Sequence, residues 1–474
     1  MRKLALLAFV VGCGSASPDV RPIVAMRPVP QPTVVVADVA PQQSAVAPQK
    51  DEMLEWVRGK LPEGGAVKRD DHGAIVVRHA VSAKDTLGGI AHAYLPLATT
   101  YLAEEFAKHI AKVNAIPTWS PSIAGQTIAI PDIVSEPYKS PEEERLAWPE
   151  DRALRAIFLR GYDTLGSWES TLDHLKARDM NAVILDAKAY MGEMTYPSKV
   201  EVAVRTNATL GAPIGDLART IRFAHQRGVR VSMRVACFHD PWSAAKAPEL
   251  SIKGYWGGPY PIGWLDPGDA AAQQYIADVV TEVISMGADE INLDYVRYPV
   301  QGGLGNADFH LKGTGKTRIS VITDFVKKIH AITQAHHVPL SLDIFGVTAT
   351  GQQIDIDNLG QDIGKLAPNA EALMPMVYPS HYGKGYMGWA EPGNHPEIIA
   401  IGTKGAIERE KGATAVIRPW LQAFNYKSPD YSPKYLAQET IEAQRGGGVG
   451  YAMWNPGGWY GDAWTAIPPI AKAQ

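Results

Sequence analysis

QQYIADVVTEVISMGADEINLDYVRYP, residues 273–299, is the stretch on which the fold turns. It opens as an amphipathic helix, stops at Gly287, and continues as a strand-like run, EINLD. Glycine is the residue type that most readily ends a helix. At the exit of the run stand Asp294, Tyr295, Arg297 and Tyr298. A buried strand has little use for a carboxylate, a phenol and a guanidinium together, since burying even a neutral polar group unpaired costs roughly 2–7 kcal/mol. The cluster therefore points to a site at the strand end, the alternative being an Asp–Arg pair that only closes a loop.

The same helix-then-strand unit recurs on both sides. Strand candidates are AIFLRGYD (156–163), AVILDAKAY (182–190), VRVSMRVACF (229–238), EINLDYVRYP (290–299), PLSLDIFGV (339–347), ALMPMVYPSHY (372–382), AVIRPWLQAF (415–424) and VGYAMWNPGG (449–458). Near-continuous apolar strands separated by amphipathic helices indicate a parallel sheet covered by helices. Eight units over residues 151–474 predict an α/β chain folded as a (β/α)8 TIM barrel. A doubly wound open sheet is the alternative, but no Gly-rich phosphate turn follows the first strand.

In such barrels chemistry sits at the C-terminal strand ends. Here strand 2 ends with Asp186 and Lys188, strand 3 with Arg234, His239 and Asp240, and strand 4 with Asp294, Tyr295 and Arg297. Strand 5 supplies Asp343, strand 6 Tyr378, His381 and Tyr382, strand 7 Gln422, and strand 8 Trp454 and Asn455. The period of two puts Asn292 with Asp294 on one face, Ser341 with Asp343, and Ile184 with Asp186 and Lys188. Asp294 and Asp343, on adjacent strands, form a candidate catalytic pair, because two carboxylates flanking one bond suffice for glycoside hydrolysis. Adjacent strands lie only about 4.8 Å apart, which favours the retaining spacing of about 5–5.5 Å over the roughly 6.5–9.5 Å of inverting pairs. The other strand-end residues, Asp186, Lys188, Arg234, His239, Tyr295, Arg297, Tyr378, His381, Gln422, Trp454 and Asn455, are expected to bind substrate. Trp242, Trp256, Trp264, Trp389 and Trp459 fall in loops after strands, where rings stack on sugars or pack the loops.

Other chemistries lack their residues. His239, His381 and His395 lie on separate loops rather than at zinc-ligand spacing, and neither a G-x-S-x-G elbow nor a P-loop occurs. No metal or cofactor is expected. Net charge is −4 without a basic block, so no nucleic-acid partner is expected.

The amino terminus, MRKLALLAFVVGC, has a positive region, a short apolar run and a box ending at Cys13. The run is too short to span a bilayer and reads as an export signal over residues 1–12. The box resembles a bacterial lipobox, which implies a lipidated Cys13; a plain signal peptide cut near Ser15 to Ser17 is the alternative. The second of the two cysteines, Cys237, then has no partner and reads as a small buried hydrophobe. Beyond Cys13 the chain is dominated by Pro, Val, Gln and Ala, and residues 13–73 are expected to be a disordered tether; its Pro-rich part, to Lys50, is long enough to reach on the order of 100 Å in polyproline form. These features place the protein in the cell envelope, on the periplasmic or outer-membrane side, meeting the membrane through the anchor alone.

IVVRHAVSAKDTLGGIAHAY (75–94) reads as a strand, a turn and a helix capped by Asp85 or Thr86, and IAGQTIAIP (123–131) as a closing strand. Asp85-Thr86-Leu87, Ile90-Ala91, Asn114, and Gly125-Gln126 with Ile128, Ile130 and Pro131 resemble a LysM module, a small α+β domain, over residues 74–133. The resemblance implies peptidoglycan as a partner. Lys84 stands where that family has Gly. The polar segment 134–150, with Pro137, Pro141 and Pro149, is expected to be a hinge that leaves module and barrel separable.

From Arg155 to about Asp462 a second resemblance appears. LDAK (185–188), FHDP (238–241), WLDP (264–267), DEINLDYVRYP (289–299), DIFG (343–346), MVYPSHY (376–382), RPWLQ (418–422) and GYAMWN (450–455) occur in the order seen in the bacterial DUF4015, or glycosyl-hydrolase-like 13, family. That family is related to the amylase-like barrels. The resemblance implies a glycoside hydrolase, and likeness to the amylase-like barrels implies Asp294 as nucleophile; with the export signal and the LysM-like module, the expected substrate is a cell-wall or extracellular polysaccharide. Amylase-like barrels carry a Glu acid on strand 5 and an Asp on strand 7; this chain has Asp343 and Gln422 there. A glycan-binding or envelope-structural protein on a barrel without its acid is the alternative reading.

Overall fold

The computed structural model describes residues 51–117 and 123–469. The export segment, Cys13 and the Pro-rich stretch to Lys50 lie outside the described residues.

Barrel strands 1 to 8 run Leu154–Leu159, Ala182–Lys188, Arg230–Ala236, Glu290–Asp294, Leu340–Phe345, Ala372–Met376, Trp420–Gln422 with the short Val416–Ile417 before it, and Gly450–Trp454. Every neighbouring pair is parallel. Strand 8 pairs with strand 1, Gly450 opposite Leu154, so the sheet closes on itself and the expected (β/α)8 barrel is formed. The 273–299 unit shows how local chemistry sets its elements. Asp269 caps helix Ala270–Ser285 by accepting from the Ala272 N–H. Gly287 then takes φ +102°, a conformation that side chains rarely adopt, and turns the chain into strand 4. Strand 4 ends at Asp294, sooner than its sequence suggests, because Tyr295 adopts φ +50° and breaks the alternation.

The outward faces of the strands are apolar and fully buried, Ile291, Leu293, Leu340 and Leu342 among them. The lumen is not a purely branched-aliphatic core of the usual kind. Glu290 accepts from Ser232 Oγ (2.9 Å), Ser341 Oγ (2.7 Å) and Arg418 Nη1 (3.0 Å), all of them sealed from solvent. This buried pair with its hydroxyl partners forms a polar floor under the strand-end cluster, and its hydrogen bonds offset much of the cost of burying two charges.

The amino-terminal unit begins earlier than residue 74. Helix Glu52–Arg58 and strand Gly65–Arg69 precede strand Ile75–Ala80, and these two strands with Thr127–Ile130 form one antiparallel sheet. Residues 52–69 are thus part of the folded unit rather than of a tether. Thr86 caps helix Leu87–Tyr94. Asn114, after helix Ala103–Val113, ties that helix to the closing strand: it donates to Ala129 O (2.8 Å) and accepts from Ala129 N (2.7 Å).

Segment 134–150 does not behave as a hinge. Arg145 donates to the carbonyls of His336 (3.0 Å) and Ile284 (3.1 Å), Leu146 N donates to Asp289 (2.6 Å), and Arg222 pairs with Glu144 at 2.6 Å. Trp148 lies 5.0 Å below the Arg418 guanidinium. The segment straps the small unit to the N-terminal face of the barrel. Tyr101 completes the junction: its ring packs against Phe223 (4.9 Å) and Trp168, and its hydroxyl meets Thr220 Oγ1 at 3.0 Å. An aromatic side chain of the small unit is thus buried in the core of the barrel, where an open linker was expected.

Candidate active site

At the C-terminal mouth one guanidinium organises three carboxylates. Arg234, on strand 3, donates through Nη1 to Asp186 on strand 2 and through Nη2 to Asp294 on strand 4, while its Nε lies 3.9 Å from Asp343 Oδ2 on strand 5. Register explains the convergence. Asp186 pairs with Arg234, Arg234 with Asn292, and Leu293 with Leu342, the residues just before Asp294 and Asp343. In a parallel sheet such partners share a face, so all four side chains enter the mouth. Arg234, Asp186, Asp294 and Asp343 are 8%, 3%, 8% and 1% exposed.

Four charges in so dry a place cannot all persist, since burial favours the neutral form of each carboxyl. Burial pushes Asp186 up to about 6, against the pull of Arg234. Burial, followed by the charge of Asp294, drives Asp343 well above the usual carboxylate range. Asp343 Oδ1 accepts from Trp420 Nε1 (2.7 Å) and Asn292 Nδ2 (2.9 Å). Asp294 accepts the N–H of Tyr295 on its other oxygen (2.5 Å). The cluster thus contains groups that keep a proton beside a carboxylate held by a guanidinium and a backbone N–H.

Around this centre the expected residues sort into two groups. His239 donates Nδ1–H to Tyr190 O (2.6 Å), which leaves Nε2 as an acceptor, and burial lowers its pKa so that the ring is neutral. Its ring stacks on Tyr295 (5.0 Å, 27°), whose phenol burial pushes up to about 12. Tyr378, Trp454 and His381 line the facing wall, Tyr378 lying 5.4 Å from Trp454 and 5.2 Å from His381. Arg297 lies under Trp264 and Phe345.

Three expected substrate-binding residues are instead structural. A register shift between Asp186 and Lys188 breaks the alternation, and Lys188 turns away from the lumen, fully buried, to pair with Asp240 (2.9 Å) and donate to Ala236 O (2.8 Å). Gln422 is sealed, with its amide spent on Phe424 O (3.0 Å), Ser428 Oγ (3.1 Å) and the Ser380 N–H (3.1 Å). Asn455 braces its own turn by donating to Ala423 O (2.6 Å) and accepting from Gly457 N (2.8 Å). Conversely, Trp420 belongs to the site by its bond to Asp343; the period that pairs Asn292 with Asp294 also pairs Trp420 with Gln422, which is the trace it leaves in the sequence.

Among the described residues the exposed aromatic side chains, Tyr162, Tyr190, Tyr255, Trp256, Tyr426 and Trp459, are 48–71% open, and each follows a barrel strand. Trp256 lies flat on glycine backbone: a Cβ on Gly254 would come within 2.5 Å of its ring. Rings presented this way offer a face to sugars. Of the other loop tryptophans, Trp242 donates to Thr206 O (2.9 Å) and Trp389 stacks on His395 at 4.1 Å, so both pack loops. A cavity of 500 Å³ lies to one side, lined by Asp266, Gln273, Phe309 and His310 among others, and none of the mouth carboxylates reaches it. Among the described residues no three His, Cys, Asp or Glu side chains are grouped to hold a metal ion.

Some solved structures are similar to this chain at low scores. An α-L-fucosidase from Paenibacillus thiaminolyticus is 16% identical with a TM-score of 0.46, covering 66% of this chain and 48% of its own. A β-N-acetylhexosaminidase from Bacteroides fragilis is 12% identical at 0.45, covering 84% and 72%. A hypothetical protein from Ruminiclostridium thermocellum is 25% identical at 0.36, covering 40% and 96%. No curated protein matches the chain. Residues 156–460 match the profile described as "DUF4015: Putative glycosyl hydrolase domain", and since this is well over half of the chain, the protein belongs to that glycosyl-hydrolase family.

Proposed function

We propose that this protein is an exported, lipid-tethered glycoside hydrolase that cuts a cell-wall or extracellular polysaccharide. One observation carries the catalytic part: a single guanidinium serves three buried carboxyls, and burial favours the protonated form of two of them, Asp186 and Asp343, beside Asp294. Asp294 attacks the anomeric carbon while a neighbouring acid protonates the departing glycosidic oxygen; water, deprotonated by the same acid's carboxylate, then hydrolyses the glycosyl ester. Asp186 suits the acid role better than Asp343. Its pKa near 6 matches a proton donor that must cycle near neutral pH, and its second oxygen has no hydrogen-bond partner among the described residues. Asp343, clamped by Trp420 and Asn292 and almost sealed, is a positioning residue that stays neutral and leaves the Arg234 charge to the other two. Asp186 and Asp294 bond the two terminal nitrogens of the same Arg234 guanidinium, a pairing that fits the close carboxyls of a retaining enzyme.

This assignment fixes the sign of the pH dependence. Asp186 donates only when protonated, so kcat/KM should fall as pH rises through about 6. In Asp186→Asn that limb should vanish and turnover on unactivated polysaccharide should drop about 10²–10⁴-fold, with much less loss on aryl glycosides whose leaving group needs no proton. Equal losses on both substrate classes, or a limb that persists, would rule Asp186 out. A glycan-binding barrel without turnover is the rival, supported by the burial of all three carboxyls; native protein that binds but cleaves none of a broad polysaccharide panel would establish it.

The envelope part of the proposal rests on the lipobox-like end and the LysM-like unit. With that unit strapped to the barrel, the mouth is held at a set orientation to any wall glycan the unit binds. Cys13→Ser should move the protein from the membrane fraction to the soluble fraction, as loss of several acyl chains at about 0.8 kcal/mol per buried CH₂ requires. Native protein already soluble, with its mature amino terminus beyond Cys13, would refute the anchor.

A further inference from the structure

Arg297 differs from the other buried cations of the barrel. Arg234 has its carboxylates, Arg418 has Glu290 and Lys188 has Asp240, but Arg297 has no ion-pair partner among the described residues. It is 6% exposed. Nη1 donates to Tyr298 O (3.0 Å), while Nε and Nη2 carry no hydrogen bond yet are not sealed from solvent. Its guanidinium is caged by the rings of Phe345 (4.3 Å), Trp264 (4.9 Å) and Tyr295 (5.5 Å). Aromatic faces offset only part of the cost of a buried lone charge. The nearby negative charge, Asp294, is already bonded to Arg234. Tyr295 is held in its caging position at φ +50°, a backbone conformation that only firm packing sustains in a non-glycine residue. Two guanidinium nitrogens of one fork are therefore left without a hydrogen bond yet open to solvent, three residues along the chain from the proposed nucleophile, a paired donor set that suits a carboxylate.

Resting on the hydrolase reading of the same mouth, we infer that Arg297 binds a carboxylate on a sugar at or beside the scissile bond, so that the substrate class is an acidic polysaccharide. Two sources carry that chemistry: a uronic acid, and an amino sugar bearing a lactyl carboxylate. Asp294 and the bound carboxylate keep apart because each has its own guanidinium, which gives the second arginine a purpose that a neutral glycan would not.

The test measures binding without turnover, using the full chain carrying Asp294→Asn. Its probes are polygalacturonate and peptide-free peptidoglycan strands, each alongside its carboxyl-reduced counterpart. One of the acidic glycans should bind about 10- to 100-fold more tightly than its reduced form, as a charge-assisted bidentate contact requires; which one identifies the source. Adding Arg297→Gln should bring that ratio to near one, and Arg297→Lys, which keeps charge but not the fork, should leave an intermediate ratio. No preference for either acidic glycan, or a preference that survives Arg297→Gln, would overturn the inference. Because binding is read apart from cleavage, native protein that binds acidic glycan through Arg297 without cutting it would refute hydrolysis alone, and native protein that cuts only neutral glycans would refute the Arg297 assignment alone.

Discussion

Asp294→Asn should lower turnover on a polysaccharide that the native protein cleaves by about 10⁴-fold or more, the scale on which removal of a nucleophile acts. The substitution keeps shape and an acceptor for the Tyr295 N–H, so the fold should survive. It removes the attacking charge and also a charge that raises the pKa of both Asp186 and Asp343. Residual activity should accordingly show its alkaline limb at lower pH than the native protein. Asp294→Gly supplied with azide should recover part of the rate and release a glycosyl azide of inverted anomeric configuration, the product expected when an external anion replaces the carboxylate of a retaining enzyme. Loss of less than tenfold in kcat/KM for Asp294→Asn would exclude it as nucleophile.

Tyr101→Ala should destabilise the protein by about 3–5 kcal/mol, the range for truncating a large buried aromatic. The ring fills the space between Trp168 and Phe223 and lies 5.2 Å from the Arg219 guanidinium, and its hydroxyl meets Thr220, so truncation removes the central contact of the junction between small unit and barrel. Removing residues 1–140 should do more, exposing Trp168 and Phe223 and deleting Tyr138 from beneath Arg222. That fragment is expected to aggregate or unfold rather than persist as a free barrel. Denaturant unfolding of the full chain and the Tyr101→Ala variant checks the first expectation through the midpoint. An unchanged midpoint would mean that the junction is peripheral.

The barrel was legible because its signal is local and repeated: apolar strands, capped helices and glycine stops each arise from near neighbours in the chain. The convergence of Asp186, Arg234, Asp294 and Asp343 was legible for a related reason. Closure by parallel strands in register turns equivalent strand ends into spatial neighbours, so the strand-end residues read as a group. Lys188 departed from this pattern because a bulge of one residue reverses the face of everything after it, and residue types do not announce a bulge. Gln422 and Asn455 departed because their polar groups are satisfied within the protein, by loop atoms that include Ser380 N–H and Ala423 O from neighbouring strand ends, and a satisfied amide is indistinguishable in sequence from one awaiting a ligand.

The amino-acid sequence alone determined the fold class and the family, and it marked out the strand ends at the mouth as polar, since periodicity and motif order are properties of the chain. Only the tertiary structure decided how those residues divide their work. Protonation depends on burial and on charges from other strands, which single out Asp186 and Asp343 as proton holders. The pairing of Lys188 with Asp240, and the lack of any ion-pair partner for Arg297 among the described residues, depend on distances between segments far apart in sequence. The junction between small unit and barrel is of the same kind: proline and charge in residues 134–150 describe a linker, whereas the burial of Tyr101 beside Phe223 depends on where the whole barrel places its helices.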